Sequence, residues 1–410
     1  MSRAVALCFL VVGIVVAPIV VVVCSAYDNG VGLTPPMGWN SWNQFHCQRL
    51  NERLIFDTAH TIIELGLDQV GYQYVNIDDC WQISRNSSGY IQEDGTKFPS
   101  GMTAVSQHIH SLGLKFGLYS DAGVRTCQGR PGGLGYERKD AIMYVQQYKI
   151  DYLKYDNCFN LGWNVQDRYQ RMHDALNETT GDGRPIFFSM CEWGEDAPAT
   201  WAAPVGNSWR TTQDIEPTWE SMIHIADVNN QWYDYAGPGG WNDPDMLEVG
   251  NGDWSLHEQR AHFALWCLMK APLLLGNDLR NMTNDVWDII ANTELIAWNQ
   301  DPLGKQGYRR SGEGSDLEVW AGDLIHGKMA LILLNRSDKE HTITAQWKDD
   351  LGLDDNQTML VRDVWQHEDI GVHQQSFTAL VPSHAVVAVE LSPWDNDGGD
   401  DAVIMVASAS

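Results

Sequence analysis

The chain has 410 residues, 44% of them hydrophobic and 20% charged, a globular composition that excludes a disordered or fibrous protein. Its 54 acidic against 27 basic residues leave a net charge of −27, which repels phosphate backbones, so nucleic acid is not an expected partner. The length suits one large domain and a smaller one, and 18 Trp are many for either, tryptophan being a sugar-stacking side chain as well as a core one.

In chain order, residues 1–26 read as a signal peptide. Arg3 is the only charge there, Ala4–Val23 is apolar, and Cys24-Ser25-Ala26 offers small residues for cleavage. An uncleaved signal anchor is the competing reading, because the apolar run is long enough for a bilayer. No basic stop-transfer cluster follows it, which favours cleavage. The expectation is a secreted protein, or one delivered to a vacuole or lysosome, with no stable membrane association after cleavage. Export permits disulfides among Cys47, Cys80, Cys127, Cys158, Cys191 and Cys267, none of which has zinc spacing. Sequons at Asn86, Asn177, Asn281, Asn335 and Asn356 are candidates for glycosylation.

From Pro36 to Asp301 short apolar runs alternate with amphipathic stretches. The runs are Met37–Trp39, Tyr74–Ile77, Lys115–Tyr119, Tyr152–Tyr155, Ile186–Ser189, Trp209–Thr211, Gly240–Asn242 and Leu273–Leu275. Helical periodicity lies between most of them, as in Arg53–Leu65, Arg168–Asn177 and Leu256–Met269. That alternation predicts a (β/α)8 TIM barrel over residues 27–305. Asp301–Gly314, rich in Gly and charge, reads as the junction. Alternating runs at Leu317–Trp320, Met329–Leu334, Thr342–Trp347, Met359–Val364, Phe377–Val381 and Ala385–Leu391 then predict an antiparallel β-sandwich over 306–393. The acidic tail, 394–410, is expected to be disordered.

Catalytic groups of such a barrel sit where strands end. Here those ends carry Asp78-Asp79, Lys154 with Asp156, Cys191-Glu192-Trp193, Arg210 with Asp214, Asp243 with Asp245, and Asp278. Carboxylates gathered on one rim repel one another, a cost that a polyhydroxylated substrate or a bound cation would justify. A Ca²⁺ or Mg²⁺ site is the rival reading, but Lys154 and Arg210 already supply positive charge, so a sugar site without metal or cofactor is expected. Two carboxylates suffice for glycoside hydrolysis. Lys154 and Asp156 alternate onto one face of their strand, and an ammonium beside it keeps a nucleophilic carboxylate ionised. Asp214, across the mouth, is expected to hold its proton as the acid.

The motifs TPPMGWNSW (Thr34–Trp42), NIDDCW (Asn76–Trp81), GLYSDAG (Gly117–Gly123), YLKYDNC (Tyr152–Cys158), GWNDPDML (Gly240–Leu247) and NQDPLGKQG (Asn299–Gly307), in this order, resemble family 27 of the glycoside hydrolases, the α-galactosidases and α-N-acetylgalactosaminidases. The resemblance implies a barrel followed by a β-domain and a retaining double displacement on a terminal α-galactoside. It implies Asp156 as nucleophile and Asp214 as acid/base. Sugar contacts would come from Trp42, Asp78, Asp79, Tyr119, Lys154, Arg210 and Asp245, with Met246 packing nearby. It further implies disulfides Cys47–Cys80 and Cys127–Cys158. Gly206 stands where some relatives carry a partner for Cys191, leaving Cys191 a free thiol beside the sugar and Cys267 a buried helix residue. Bulky Glu192 and Trp193 would favour a free 2-hydroxyl over an acetamide. The Asp78-Asp79 pair speaks against a β-L-arabinopyranosidase, and the presence of both Asp156 and Asp214 against an inactive, lectin-like barrel. A homodimer is the assembly such a chain would form, if it forms one.

Overall fold

A computed structural model describes residues 27–181 and 183–394; the signal peptide expected over 1–26, and the tail expected to be disordered, lie outside the described residues. The first part opens with β1 (Met37–Asn40), α1 (Trp42–Arg49) and α2 (Glu52–Glu64). Asn51 starts α2 by accepting the Leu54 N–H at 3.0 Å, and Leu54, Ile55, Ala59 and Ile62 form its buried stripe. Next come β2 (Tyr74–Asn76), a hairpin of β3 (Gln82–Arg85) and β4 (Ile91–Glu93), α3 (Met102–Ser111) and β5 (Lys115–Asp121). α4 (Glu137–Ile142) runs on as a wider turn through Tyr148 into β6 (Tyr152–Asp156) and α5 (Val165–Thr180). β7 (Phe187–Met190), β8 (Ser208–Arg210), α6 (Trp219–Asn230), β9 (Trp241–Asp243), α7 (Leu256–Leu268), β10 (Leu273–Leu275), α8 (Asn284–Ile290) and α9 (Thr293–Asn299) complete it.

Eight of these strands pair in parallel in the order β10-β1-β2-β5-β6-β7-β8-β9. Leu247 closes the ring: it bridges Leu275, and its N–H donates to the Leu274 carbonyl at 2.8 Å. All eight expected strands are present, so the C-terminal ends of the strands converge on one rim. The disulfide Cys47–Cys80 ties α1 to the loop after β2, and Cys127–Cys158 ties together the loops after β5 and β6.

The second part contains β11 (Tyr308–Ser311), β12 (Leu317–Asp323), β13 (Met329–Asn335), β14 (His341–Gln346), β15 (Thr358–Asp363), β16 (Glu368–Gln374), β17 (Ser376–Val381) and β18 (Ala385–Pro393). Six form the sheet β11-β12-β13-β18-β15-β16, and β14 with β17 faces it across a core that includes Leu331, Leu333, Ala345, Trp347 and Phe377. The sandwich is as expected, but the junction is not merely a loop, because β11 forms within it. β16 was also invisible in the hydropathy pattern. Both are edge strands with no fully buried residue, so neither shows the alternation that marks a half-buried strand.

The two parts share one core. Barrel residues such as Phe263, Trp266 and Trp298 pack in the same cluster as Trp320, Ile332, Leu334 and Ala388. Asp227 of α6 pairs with Arg309 and Arg336, which also hold the buried Glu318 of β12. Asn335 corrects one expectation: it is buried, and its Nδ2 donates to the carbonyls of Lys339, Val381 and Pro382, so this sequon is closed in the folded chain. The other four asparagines are exposed. Among the described residues no helix is long and apolar enough to cross a membrane.

Candidate active site

A cavity of about 490 Å³ opens at the C-terminal rim of the barrel. Ten of the side chains anticipated from the sequence line it: Trp42, Asp78, Asp79, Tyr119, Lys154, Asp156, Trp193, Arg210, Asp214 and Asp245. Its size suits a small ligand.

One wall is acidic and held by fixed donors. Asp78 accepts from Asn40 Nδ2 at 2.9 Å, from Lys154 Nζ at 2.9 Å and from the Asp79 N–H at 2.9 Å. Asp79 accepts the N–H groups of Cys80 at 2.6 Å and Gln128 at 3.0 Å. Burial nevertheless lifts the Asp79 carboxyl to about 6. Trp42, anchored by its N–H on Asn40 Oδ1 at 2.8 Å, and Trp193 supply apolar walls. Trp193 has φ 62, and Gly194 beside it has φ 77 with no room for a Cβ, which would lie 2.2 Å from the Thr211 carbonyl oxygen.

Asp156 ends β6 at the base of the cavity. Its Oδ2 accepts the Tyr119 hydroxyl at 3.0 Å and its Oδ1 the Asn157 N–H at 2.9 Å. Burial raises its pKa; the Lys154 charge pulls it down and the Asp214 charge pushes it up again. Lys154 itself bonds Asp78 rather than Asp156, so it acts on Asp156 through space. Behind it, Asp121 accepts the N–H groups of Gly123 at 2.6 Å and Cys158 at 3.0 Å, holding the β5 and β6 loops together. Gly123 is required there, since a Cβ would fall 1.8 Å from the Cys158 carbonyl oxygen.

Arg210 organises the opposite wall. Its Nη2 lies 3.1 Å from Asp214 Oδ1 and 3.1 Å from Asp245 Oδ2, and its Nη1 lies 3.5 Å from Cys191 Sγ. Asp245 adopts φ 84, a left-handed conformation fixed by the Ile215 and Met246 N–H groups on its carboxylate. Asp214 is different in kind: its side chain is 70% exposed, free to reach a bound molecule. Burial raises its pKa, but the Arg210 and Lys154 charges outweigh burial and leave it lowered. The salt bridge from Arg210 goes to Asp214 and not to Asp156, so in the free site the direction of each shift is opposite to the one the sequence led us to expect.

Two anticipated residues stand back from the cavity. Met246 is buried among Tyr74, Tyr152, Phe187 and Leu274, beneath Trp42, which fits its expected packing role. Glu192 corrects the expectation that it borders the substrate: it is 0% exposed, with Oε2 accepting the Asp196 N–H at 3.0 Å. Trp193 alone of that pair faces the cavity. Cys191 and Cys267 are free and buried. Residues that pattern reading passed over include Asn40, Asp121 and Glu248. Glu248 lines the cavity, accepts from Asn43 and Asn251 at 2.5 Å each, and burial raises it to about 7. It lies one residue beyond the GWNDPDML run and outside any strand, so only its closeness to the motif could have marked it.

The family model described as alpha galactosidase A matches residues 34–301, and the alpha galactosidase C-terminal beta sandwich domain matches 314–391. The chain is 51% identical to an α-galactosidase of Cyamopsis tetragonoloba, over 89% of this chain and 88% of that one. The crystal structure of α-galactosidase I from Mortierella vinacea superposes with a TM-score of 0.86 at 40% identity, covering 89% of this chain and 98% of that one. A Saccharomyces cerevisiae α-galactosidase solved with raffinose does so with a TM-score of 0.83 at 31% identity, covering 90% and 100%. The barrel with its rim of aspartates, the sandwich behind it and the extent of these matches lead to one conclusion: the chain belongs to the α-galactosidase family.

Proposed function

We propose that the chain is a retaining α-galactosidase that removes terminal, non-reducing α-D-galactose from oligosaccharides, galactomannans or glycolipids. The observation that carries this reading is the pairing of two unlike acids on one small cavity: Asp156 buried and Asp214 exposed. Asp156 attacks the anomeric carbon while Asp214 protonates the departing oxygen, giving a galactosyl ester that water then hydrolyses. Attack proceeds from the form in which Asp156 is charged and Asp214 carries the proton, where the mutual repulsion of the two carboxylates favours keeping that proton. Esterification removes that charge, so Asp214 turns from acid to base for the second step. Tyr119 and the Asn157 N–H stabilise the Asp156 carboxylate when it leaves.

Asp78 and Asp79 give acceptors for the 4- and 6-hydroxyls of galactose, while Lys154 donates beside them. An arabinopyranoside lacks the 6-hydroxyl that this pair would bind. Trp193 lines the cavity, and its bulk supports a free 2-hydroxyl over an acetamide. Secretion, or delivery to an acidic compartment, follows from the apolar start of the chain, with Asn86, Asn177, Asn281 and Asn356 as its glycosylation sites. The test is a paired assay with a chromogenic α-galactoside and its N-acetyl analogue. Cleavage of the galactoside, with the analogue at least a hundredfold slower, is expected; equal rates, or no cleavage of either, would overturn the reading.

A further inference from the structure

The segment that follows the nucleophile strand carries an apolar surface that the reaction does not use. Phe159, Leu161 and Trp163 are 53%, 67% and 52% exposed, three large hydrophobic side chains in solvent within five residues. Single exposed apolar residues are ordinary, whereas a cluster of them beside a cavity marks a binding surface. In a chain of net charge −27, Asn157–Asn164 contains no charged residue, only amides, apolar side chains, a cysteine and a glycine. That is a surface for a neutral, hydroxyl-rich partner, to which aromatic faces stack and amides hydrogen-bond.

The segment is built, not loose. Arg168, itself buried, donates to the Trp163 carbonyl at 3.2 Å and to Asn157 Oδ1 at 2.7 Å, bracing the tip of the loop against its base. The Phe159 carbonyl accepts the Val124 N–H at 3.2 Å, and Asn160 Nδ2 donates to the Asn157 carbonyl at 3.2 Å. Phe159 at φ 44 and Leu161 at φ 55 sit in the left-handed region that such residues avoid. Held strain that keeps apolar groups in water is unfavourable for stability alone. The segment leaves the cavity wall directly, because Cys158 is part of that wall and Phe159 is the next residue in the chain. Arg171 covers the Trp163 ring, 5.4 Å from its centroid.

We infer that Phe159, Leu161 and Trp163 form a platform for the part of a neutral oligosaccharide that extends beyond the galactose, so that long-chain galactosides are preferred over small ones. This rests on the proposed activity and assigns its substrate class. The test compares a galactosylated manno-oligosaccharide with methyl α-galactoside, whose aglycone is too short to reach the platform. In Trp163→Ala the ratio of kcat/KM between the two should fall about tenfold, carried by KM on the long substrate, while Trp163→Phe keeps most of it. An unchanged ratio, an equal fall on both substrates, or conversion of a wild-type dimer into a monomer would each overturn the inference. Calorimetric binding of the same oligosaccharide to the Asp156→Asn chain needs no turnover. Binding weakened by adding Trp163→Ala supports the platform even if the wild type proves inactive, and only the proposed activity would then fail.

Discussion

Replacing Glu192 with Gln should change how stability depends on pH more than it changes stability itself. The carboxyl is buried in the loop after β7, and its Oε1 has no hydrogen-bond partner among the described residues. Burial first, and then the nearby charges of Asp196 and Glu195, raise its pKa from 4.5 to about 8, against the pull of the Asp196 N–H. The folded chain thus keeps a proton that the unfolded chain releases between these values, and stability falls as pH rises through that window. Linkage puts the cost at below ~1 kcal/mol at pH 5 and at most about 3 kcal/mol at pH 7, less to the extent that water screens the group. Gln has the shape of the neutral acid and cannot ionise, so the variant should resemble wild type at pH 5 and gain about 2 kcal/mol on it by pH 7. Thermal unfolding of both proteins across this range reads the effect as a difference of a few degrees that opens with pH. Parallel curves would show that Glu192 ionises normally and that burial does not govern it.

Removing the Cys127–Cys158 bond by double replacement with Ala opens a loop of 31 residues, and loop entropy sets the loss near about 4 kcal/mol. Calorimetry should show it, together with a fall in kcat/KM because the disulfide is also a cavity wall; an unaltered Tm would contradict the argument. Tyr119→Phe deletes a donor to Asp156, favouring its neutral form and moving the acid limb of the kcat/KM–pH profile up by about one unit. A limb that stays in place would mean that another group titrates there.

Much of this was legible in advance, for identifiable reasons. The barrel strands announced themselves because parallel strands are buried on both faces and read as unbroken apolar runs, as Leu273–Leu275 does. The hairpin Gln82–Arg85 with Ile91–Glu93, like the edge strands Tyr308–Ser311 and Glu368–Gln374, is half solvated and left no such trace. At the site, residue identity and motif order located ten wall residues, because each sits on or next to a strand end. The sequence could not say which way a side chain turns within a loop. Glu192 and Trp193 are adjacent, yet one is buried behind the wall and the other faces the cavity. Nor could it rank the two acids, since the partner of Arg210 depends on how the β8 loop returns to bring Asp214 within 3.1 Å. The sequon at Asn335 failed for the same reason, as its motif carries no information on burial.

The central claim is that Asp156 forms the covalent bond to galactose, and trapping that intermediate tests it most directly. Incubation with a 2-fluoro galactosyl reagent bearing a good leaving group, followed by peptide mapping, should find one added sugar, on the peptide containing Asp156. The Asp156→Asn chain, folded but inactive, should take no label. Label on Asp214, Asp245 or any other carboxylate of the intact protein would contradict the account.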